Sequence, residues 1–353
     1  MPQSFSNCLW WLGLAGVLCL GSFDLHAGAD ESWAAVEVLD SGPQEQPTTR
    51  DEAIRFARQH FAKHRTAIES FLVGYPEDPR AFDAQIRLAG ILAVEGKMDQ
   101  KPALVRQALE SLIKLEKSEG VPSAKLADAT FRRISLQMQM LEGRESEQRE
   151  LVVTAARNFA NRFPSDKRGP RLLVEAATIC TPVPETMRAL LTQAQALTTE
   201  PELLARISDD IRRLELLGKP LDLKIPVMQG KTIDLQSLRG RVVALVFWSA
   251  ESPHSVLWLR GFQDQLRKIP KSDAVFIGIS LDENRDELKK MMESLDITWP
   301  TYFNAKGWES ELVRSLGINA IPTLWLVDKR GVLRSINARD NFETTLRLLQ
   351  RER

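Results

Sequence analysis

Hydrophobic residues in the first long patterned stretch of the chain follow a helical spacing. From Thr48 to Gly218 they recur at intervals of three and four residues, which places them on one face of an α-helix. Glycine and proline interrupt this pattern repeatedly and divide it into short helices. The interruptions lie at Gly74–Pro76, Gly96, Lys101–Pro102, Gly120–Pro122, Gly143, Phe163–Pro164, Pro182–Pro184 and Glu200–Pro201. We therefore predict an α-helical domain over residues 48–218.

After Gly218 the pattern changes to apolar runs that are separated by helical spacing. Val242–Trp248 is a run of seven apolar residues, as expected for a central strand covered on both faces. Ala274–Ser280 and Thr323–Val327 have the same character. This alternation predicts an α/β domain over residues 221–353, with helices on both faces of one sheet. The other predicted elements are helices at Ser252–Lys268, Asn284–Leu295, Trp308–Leu316 and Phe342–Gln350, a hairpin turn at Asp328–Gly331 and a strand at Val332–Ile336.

Residues 1–29 have the features of a secretory signal peptide. The apolar run Cys8–Leu20 is too short to span a membrane, and Ala27–Ala29 supplies the small residues that a signal peptidase requires. No lysine or arginine precedes the run, so an uncleaved membrane anchor is the alternative. We predict an exported protein, periplasmic or extracellular, in which residues 30–47 form a linker.

One segment of the helical domain is repeated. Residues 71–80 match residues 159–168 without a gap, at an offset of 88. In both copies an aromatic residue and a proline are followed by Asp and Arg, which begin a new helix. The offset accommodates two helical hairpins, and the turn resembles that of tetratricopeptide-like repeats. Such arrays expose a concave face to protein partners; an irregular helical bundle is the alternative.

The composition excludes several classes of protein. With 43% hydrophobic residues the chain is not wholly disordered, and 47 basic residues balanced by 47 acidic ones do not favour a nucleic-acid partner. The three cysteines are Cys8, Cys19 and Cys180. Signal cleavage would leave Cys180 alone, so the mature chain could form no internal disulfide even in an oxidising compartment.

Three segments of the α/β domain carry a family resemblance. Asp234–Trp248, Ile279–Asp282 and Gly317–Gly331 resemble, in order and spacing, the TlpA-like thiol-disulfide family of redoxins, which have a thioredoxin-like fold. The resemblance covers residues 221–353. It implies a Cys-x-x-Cys pair where the helix begins after Trp248. It also implies a cis bond before Pro322, beside that pair, where the backbone is free to pair with an extended peptide.

Both cysteine positions of the family pattern are serines here, Ser252 and Ser255. Thiol–disulfide exchange proceeds by thiolate attack on a disulfide, and an oxygen atom cannot form the mixed disulfide. A helix N-terminus stabilises an anion by about 0.3–2 kcal/mol, whereas lowering the pKa of an alcohol by about five units requires about 7 kcal/mol. We therefore expect no catalytic residue at these positions and no redox activity, although the fold is that of an enzyme family.

Ser252 is predicted to be the N-cap of the helix, with Pro253 at its first position. A Ser/His hydrolase with His254 as the base is an alternative, but residues one and two apart do not face each other on a helix. A second alternative is a thiol-disulfide oxidoreductase of the TlpA-like class, in which Cys180 or a partner supplies the sulfur.

His60 and His64 are four residues apart, a spacing that could place two imidazoles on one metal ion. No third ligand is evident in the sequence, so we predict that both histidines lie on a solvated helix face. We expect no metal and no cofactor.

These observations predict a non-redox binding protein, in which a helical scaffold precedes a thioredoxin-like module. The expected partner is a protein or a peptide, bound by the helical repeat and by the surface around the proline loop. We expect no nucleic acid, and a membrane only if the signal segment is retained. The candidate binding residues are Trp248, Glu251, Pro253, His254, Ile321, Pro322 and Thr323.

Overall fold

The secondary structure changes from helices to a sheet with helices, as the sequence predicts. The computed structural model describes residues 20–141, 146–179, 183–266 and 274–352. The helices are α1 (Leu20–Val38), α2 (Arg50–Gly74), α3 (Ala81–Met98), α4 (Pro102–Glu116), α5 (Ser123–Gln139), α6 (Ser146–Arg162), α7 (Arg168–Ile179), α8 (Pro184–Leu197), α9 (Pro201–Leu216), α10 (Pro253–Leu266), α11 (Arg285–Ser294), α12 (Glu311–Ser315) and α13 (Phe342–Arg351). The strands are β1 (Lys224–Pro226), β2 (Thr232–Asp234), β3 (Val242–Trp248), β4 (Ala274–Ser280), β5 (Thr301–Tyr302), β6 (Thr323–Val327) and β7 (Leu333–Ser335).

The chain forms two compact units, Met1–Asp166 and Lys167–Arg353. The first contains α1–α6, and the second contains α7–α9 together with the sheet. The predicted domain boundary at residues 218–221 marks the change from helix to strand. It does not mark the boundary between the compact units, because α7–α9 pack into the same unit as the sheet.

Part of the predicted linker is helical. Residues 30–38 belong to α1, where Trp33 and Val36 are buried with Ile68 and Phe71 of α2. The rings of Trp33 and Phe71 lie 5.0 Å apart. The linker prediction was wrong here because its glycine and proline signals are confined to residues 41–47, whereas the apolar residues before them are spaced as in a helix. In the described part of the chain, no helix is both long and apolar enough to cross a membrane.

The repeated sequence segment forms the same turn twice. After α2 the Tyr75 amide donates to the Phe71 carbonyl at 2.8 Å, and after α6 the Phe163 amide donates to the Phe159 carbonyl at 2.9 Å. The two rings of each pair are 5.6 Å and 5.2 Å apart. Four helices, α3 to α6, lie between the first turn and the second. The shared local geometry therefore follows from the shared residues.

Gly96 was predicted as a helix end but lies inside α3. A methyl group at this position would lie 2.6 Å from Cγ2 of Val105, so glycine is required for the close approach of α3 and α4. The interruptions predicted at Pro102, Pro184 and Pro201 are found, and each of these prolines occupies the first turn of a helix. The interruption predicted at Gly143 lies outside the described residues.

His60 and His64 are buried, which corrects the prediction of a solvated helix face. They are 9% and 6% exposed. Nε2 of His64 lies 3.5 Å from a carboxylate oxygen of Asp40, which also pairs with Arg87 of α3. The periodicity of α2 alone could not show this, because Asp40 and Arg87, which interact with the His64 ring, come from other elements. Within the described residues, no three potential metal ligands form a cluster.

The main sheet has five strands in the order β5-β4-β3-β6-β7. β3 pairs in parallel with β4, and β4 with β5, whereas β6 is antiparallel to both β3 and β7. The predicted bounds of β3, β4 and β6 are confirmed. β3 is central and buried at every position, which explains its uninterrupted apolar sequence. A separate two-stranded sheet contains β1 and β2, which the sequence reading did not predict.

The edge of the sheet at β7 is covered by the segment that follows α9. The Gly218 amide donates to the Leu333 carbonyl at 2.8 Å, and the Leu333 amide donates to the Lys219 carbonyl at 2.9 Å. This pairing occupies an edge that would otherwise present unpaired backbone groups. The predicted hairpin turn before β7 is confirmed, since the Gly331 amide donates to the Asp328 carbonyl at 2.9 Å.

Candidate functional site

Three chain segments meet at one end of the sheet. β3 and β4 run parallel, with Trp248 opposite Ser280, so the turns that follow them lie side by side. β6 runs antiparallel to β3, and its first residue is opposite Phe247, which brings the loop before β6 to the same end. We call residues 249–252 the serine turn and residues 319–322 the Pro322 loop.

Ser252 caps the first turn of α10. Its Oγ accepts a hydrogen bond from the Ser255 amide at 3.2 Å, and Pro253 occupies the first helical position, where no amide hydrogen is needed. The predicted N-cap is thereby confirmed. The hydroxyl of Ser252 is engaged in stabilising the helix.

Ser255, at the second cysteine position of the family pattern, is fully buried. Its Oγ has no hydrogen-bond partner among the residues that the structure describes. A buried polar group without a partner costs about 1–3 kcal/mol, whereas a thiol behaves as a small hydrophobic group with a weak donor. The surroundings of residue 255 therefore suit a sulfur atom better than the oxygen that is present.

A buried carboxylate holds the serine turn in place. Oδ1 of Asp282 accepts hydrogen bonds from the Ser249 hydroxyl at 2.8 Å and from the Ala250 amide at 2.7 Å. Oδ2 accepts from the Ser280 hydroxyl at 2.7 Å. Asp282 is almost fully buried, so its loss would leave several buried donors unpaired. Asp282 therefore fixes the shape of the turn.

The exposed residues in the turn and directly after it are Glu251, Pro253 and His254. A hydrolytic site requires a serine hydroxyl that is hydrogen-bonded to a base. Ser252 Oγ accepts from a backbone amide instead, and Ser255 Oγ has no partner among the described residues. The geometry therefore does not support a Ser/His hydrolase.

The other predicted binding residues differ in accessibility. Trp248 is fully buried and cannot contact a partner, because both faces of β3 are covered. Pro322 and Thr323 are also buried, and the Thr323 hydroxyl donates to the Ala320 carbonyl at 2.9 Å. The bond between Ile321 and Pro322 is cis, as the resemblance implied.

The Pro322 loop presents an open backbone edge. Ala320 is exposed and Ile321 is half-buried. Within the described residues, no backbone hydrogen bond uses the amide or the carbonyl of Ile321. Unpaired backbone groups at an accessible edge can pair with an extended peptide. The arrangement can thus bind a polypeptide segment without any chemistry at the serine turn.

Ser249, Ser280 and Asp282 were not predicted as site residues. The sequence does indicate them as candidates, because each lies at or just beyond the carboxyl end of a predicted buried strand. Parallel neighbouring strands bring such residues together, but strand order is not evident from the pattern. Cys180, the sulfur source of the oxidoreductase alternative, lies outside the described residues.

Residues 218–336 match the model of the AhpC/TSA family. This range contains both the serine turn and the Pro322 loop. Together with the observed sheet and helices, the match shows that the C-terminal part of the chain is a thioredoxin-like redoxin domain. No curated protein sequence matches the chain significantly.

Several solved structures resemble this domain. The thioredoxin domain of a thiol-disulfide oxidoreductase from Bacteroides vulgatus is 19% identical, with a TM-score of 0.31, over 38% of this chain and 97% of that one. A thiol-disulfide isomerase from Corynebacterium glutamicum is 18% identical, with a TM-score of 0.34, over 38% and 98%. A thiol-disulfide oxidoreductase from Bacteroides fragilis is 21% identical, with a TM-score of 0.31, over 37% and 98%. Similarity at this level carries no information about activity.

Proposed function

We propose that this protein is an exported binding protein whose thioredoxin-like domain has lost redox chemistry and retains a surface for a protein or peptide partner. In this proposal the domain is of the TlpA-like type, and the N-terminal helices form a tetratricopeptide-like scaffold. The protein works in the periplasm or outside the cell. The observation that carries the proposal is the backbone of Ile321, which has no backbone partner among the described residues and lies at the same end of the sheet as the serine turn, where the hydroxyl groups of Ser252 and Ser255 are engaged or buried.

The absence of cysteine from the domain argues against redox catalysis. Residues 221–353 contain no cysteine, and both disulfide exchange and peroxide reduction require a thiolate. The oxidoreductase alternative therefore needs a sulfur atom from Cys180 or from a partner. The helix start at Ser252 cannot substitute for it, because its electrostatic effect is several kcal/mol too small to ionise an alcohol.

Peptide binding accounts for the features of the site that do not depend on a thiol. An extended segment that pairs with Ile321 would gain main-chain hydrogen bonds, and exposed Pro253 and His254 lie on the adjacent helix start. The Asp282 network holds the serine turn rigidly. A rigid surface reduces the entropy that is lost when a partner binds.

The redox part of the proposal is tested by an insulin-reduction assay with dithiothreitol as the electron source. We expect the mature protein to show no rate above buffer. The variant Ser252→Cys/Ser255→Cys is the positive control, because its two thiols restore the family pattern at the helix start. A wild-type rate that persists in Cys180→Ser would show that the domain is redox-active.

The binding part is tested with labelled, short extended peptides and fluorescence anisotropy. Ala320→Trp places a large side chain beside the Ile321 edge, so we expect it to weaken peptide binding at least tenfold. Ala196→Trp, at an exposed position of α8, is the matched control and should bind like the wild type. Failure of the wild type to bind any of the peptides, or equal binding by Ala320→Trp, would overturn the proposal.

A further inference from the structure

Helix α9 packs against the chain that leads into the Pro322 loop. Gly317 has a positive φ of 67°, and a methyl group there would lie 2.5 Å from the carbonyl oxygen of Asp209. The Arg212 guanidinium donates to the Arg314 carbonyl at 2.8 Å. The helix and the loop are therefore in backbone contact, and both belong to the same compact unit.

A buried ion pair of α9 holds Asn319, the first residue of the Pro322 loop. Asp210 is buried and pairs with Arg213 one turn later. The Asn319 side chain joins both groups: its amide nitrogen donates to Asp210 Oδ1 at 2.9 Å, and its oxygen accepts from Arg213 Nη1 at 2.6 Å. If the loop left α9, the buried Asp210–Arg213 ion pair would lose its hydrogen bonds to Asn319. The loss of such partners is costly for buried charges. The start of the loop is therefore fixed on α9.

The same face of α9 continues to an exposed arginine. Arg206, Asp210 and Arg213 are spaced by four and three residues, so they lie along one side of the helix. The Arg206 carbonyl oxygen is 3.5 Å from the Asn319 side-chain nitrogen, and the Arg206 side chain is exposed. No ion pair joins this side chain to a carboxylate among the described residues. Arg206 thus contributes an exposed positive charge to the helix face that holds the beginning of the loop.

We propose that α9 is part of the peptide-binding surface and that the preferred ligand is an extended segment with a carboxylate side chain near the residue that pairs with Ile321. This inference rests on the proposed function. Only Ala320 separates Asn319 from Ile321, and an extended chain advances about 3.3 Å per residue. A segment paired with Ile321 therefore lies only a few residue lengths from the α9 face that carries Arg206, where an acidic side chain would find a complementary charge.

The inference is tested by a charge exchange between protein and peptide. The probes are fluorescein-labelled extended peptides of serine, threonine and valine, identical except for Asp, Asn or Lys near both ends. In the wild type we expect the Asp peptide to bind about two- to fivefold more tightly than the Asn peptide, the size of one exposed ion pair, and the Lys peptide to bind most weakly. Added salt should reduce these differences.

Arg206→Glu should reverse the order, so that the Lys peptide binds best. Arg188→Glu makes the same charge change at an exposed arginine of α8, and it should keep the wild-type order. Equal affinity of all three peptides for the wild type, or an unchanged order in Arg206→Glu, would overturn the inference while leaving the proposed function intact. If none of the peptides binds, the proposed function itself fails.

Discussion

At the scale of single residues, two serines three positions apart have opposite effects on the same helix. Ser252 satisfies an amide of the first turn, whereas Ser255 buries a hydroxyl that has no partner among the described residues. At the two positions where the resemblance implies cysteines, an oxygen atom is thus useful at one and costly at the other. The buried position of residue 255 would suit a sulfur atom better than the hydroxyl.

This contrast gives a prediction for stability. Ser252→Ala removes the N-cap and should lower the free energy of unfolding by about 1 kcal/mol. Ser255→Ala removes a buried hydroxyl that has no partner among the described residues, and it should raise the free energy of unfolding by roughly 1 kcal/mol. Urea unfolding followed by near-ultraviolet circular dichroism measures both changes, and each variant serves as the control for the other. A Ser255→Ala protein less stable than the wild type would show that the hydroxyl has a favourable partner.

At the scale of elements, the contact between α9 and the loop after α12 depends on a glycine. Gly317 and Gly331 both have positive φ, 67° and 83°, which favours glycine at either site. They differ in the space around them. A methyl group at 317 would meet a backbone carbonyl at 2.5 Å, whereas one at 331 would meet nothing closer than 3.7 Å.

We therefore predict that Gly317→Ala is much more destabilising than Gly331→Ala. The second variant should cost about 1–2 kcal/mol, the penalty for a side chain in the left-handed region. The first should cost at least about 2 kcal/mol more, and it should accelerate hydrogen exchange in α9. Similar unfolding midpoints for the two variants would mean that α9 moves away from the loop without loss of stability.

A second prediction at this scale concerns the contact of α1 with α2. Burial lowers the pKa of His64; Asp40 opposes this effect, and His60 and Arg87 add to it. The folded state therefore binds a proton less readily than the unfolded chain. The contact should therefore be most stable above about pH 6.5, where His64 is neutral in both states. Its stability should fall as the pH drops below that value.

Hydrogen exchange of residues 33–40 measures this effect as a fall in protection factors on acidification. His64→Gln should abolish most of the pH dependence, because it removes the group that titrates. His254→Gln changes an exposed histidine of the other unit, and it should leave the dependence as in the wild type. Protection that rises on acidification would show that the ion pair with Asp40 outweighs burial.

At the scale of the whole molecule, the boundary of the second unit lies well before the thioredoxin-like domain. The family match begins at residue 218, but the compact unit begins at Lys167. Helix α9 supplies buried groups to the Pro322 loop, and the segment after it completes the sheet edge. The helices at the end of the predicted scaffold are therefore a structural part of the module that follows.

We accordingly predict that a fragment of residues 167–353 unfolds cooperatively and at a higher temperature than a fragment of residues 219–353. The shorter fragment lacks α9, so it loses the partners of Asn319 and the buried side chains of Ile207 and Leu214. Differential scanning calorimetry compares the two fragments. Equal melting temperatures would show that α9 adds nothing to the stability of the domain.

Much of the fold was predictable from local sequence. The bounds of β3, β4 and β6 and the start of α10 follow from apolar runs and from a serine–proline pair, which are local signals. The short strands β1, β2 and β5 were not predicted, because two or three residues are too few to show a periodicity. Residues 30–38 were wrongly predicted as linker because the glycine and prolines at residues 42–47 follow them closely. These residues end the helix but do not prevent it from forming before them.

The sequence by itself determined that this domain has no thiol of its own, and it determined the long strands and helices from which the domain is built. Absence of cysteine from residues 221–353 is a property of composition, and it holds whatever the chain folds into. Only the tertiary structure decided which polar groups meet. Ser249 and Asp282 are 33 positions apart, and Arg213 and Asn319 are 106 positions apart. Helical and strand periodicities report which face of an element is buried, but they carry no information about which distant element covers it.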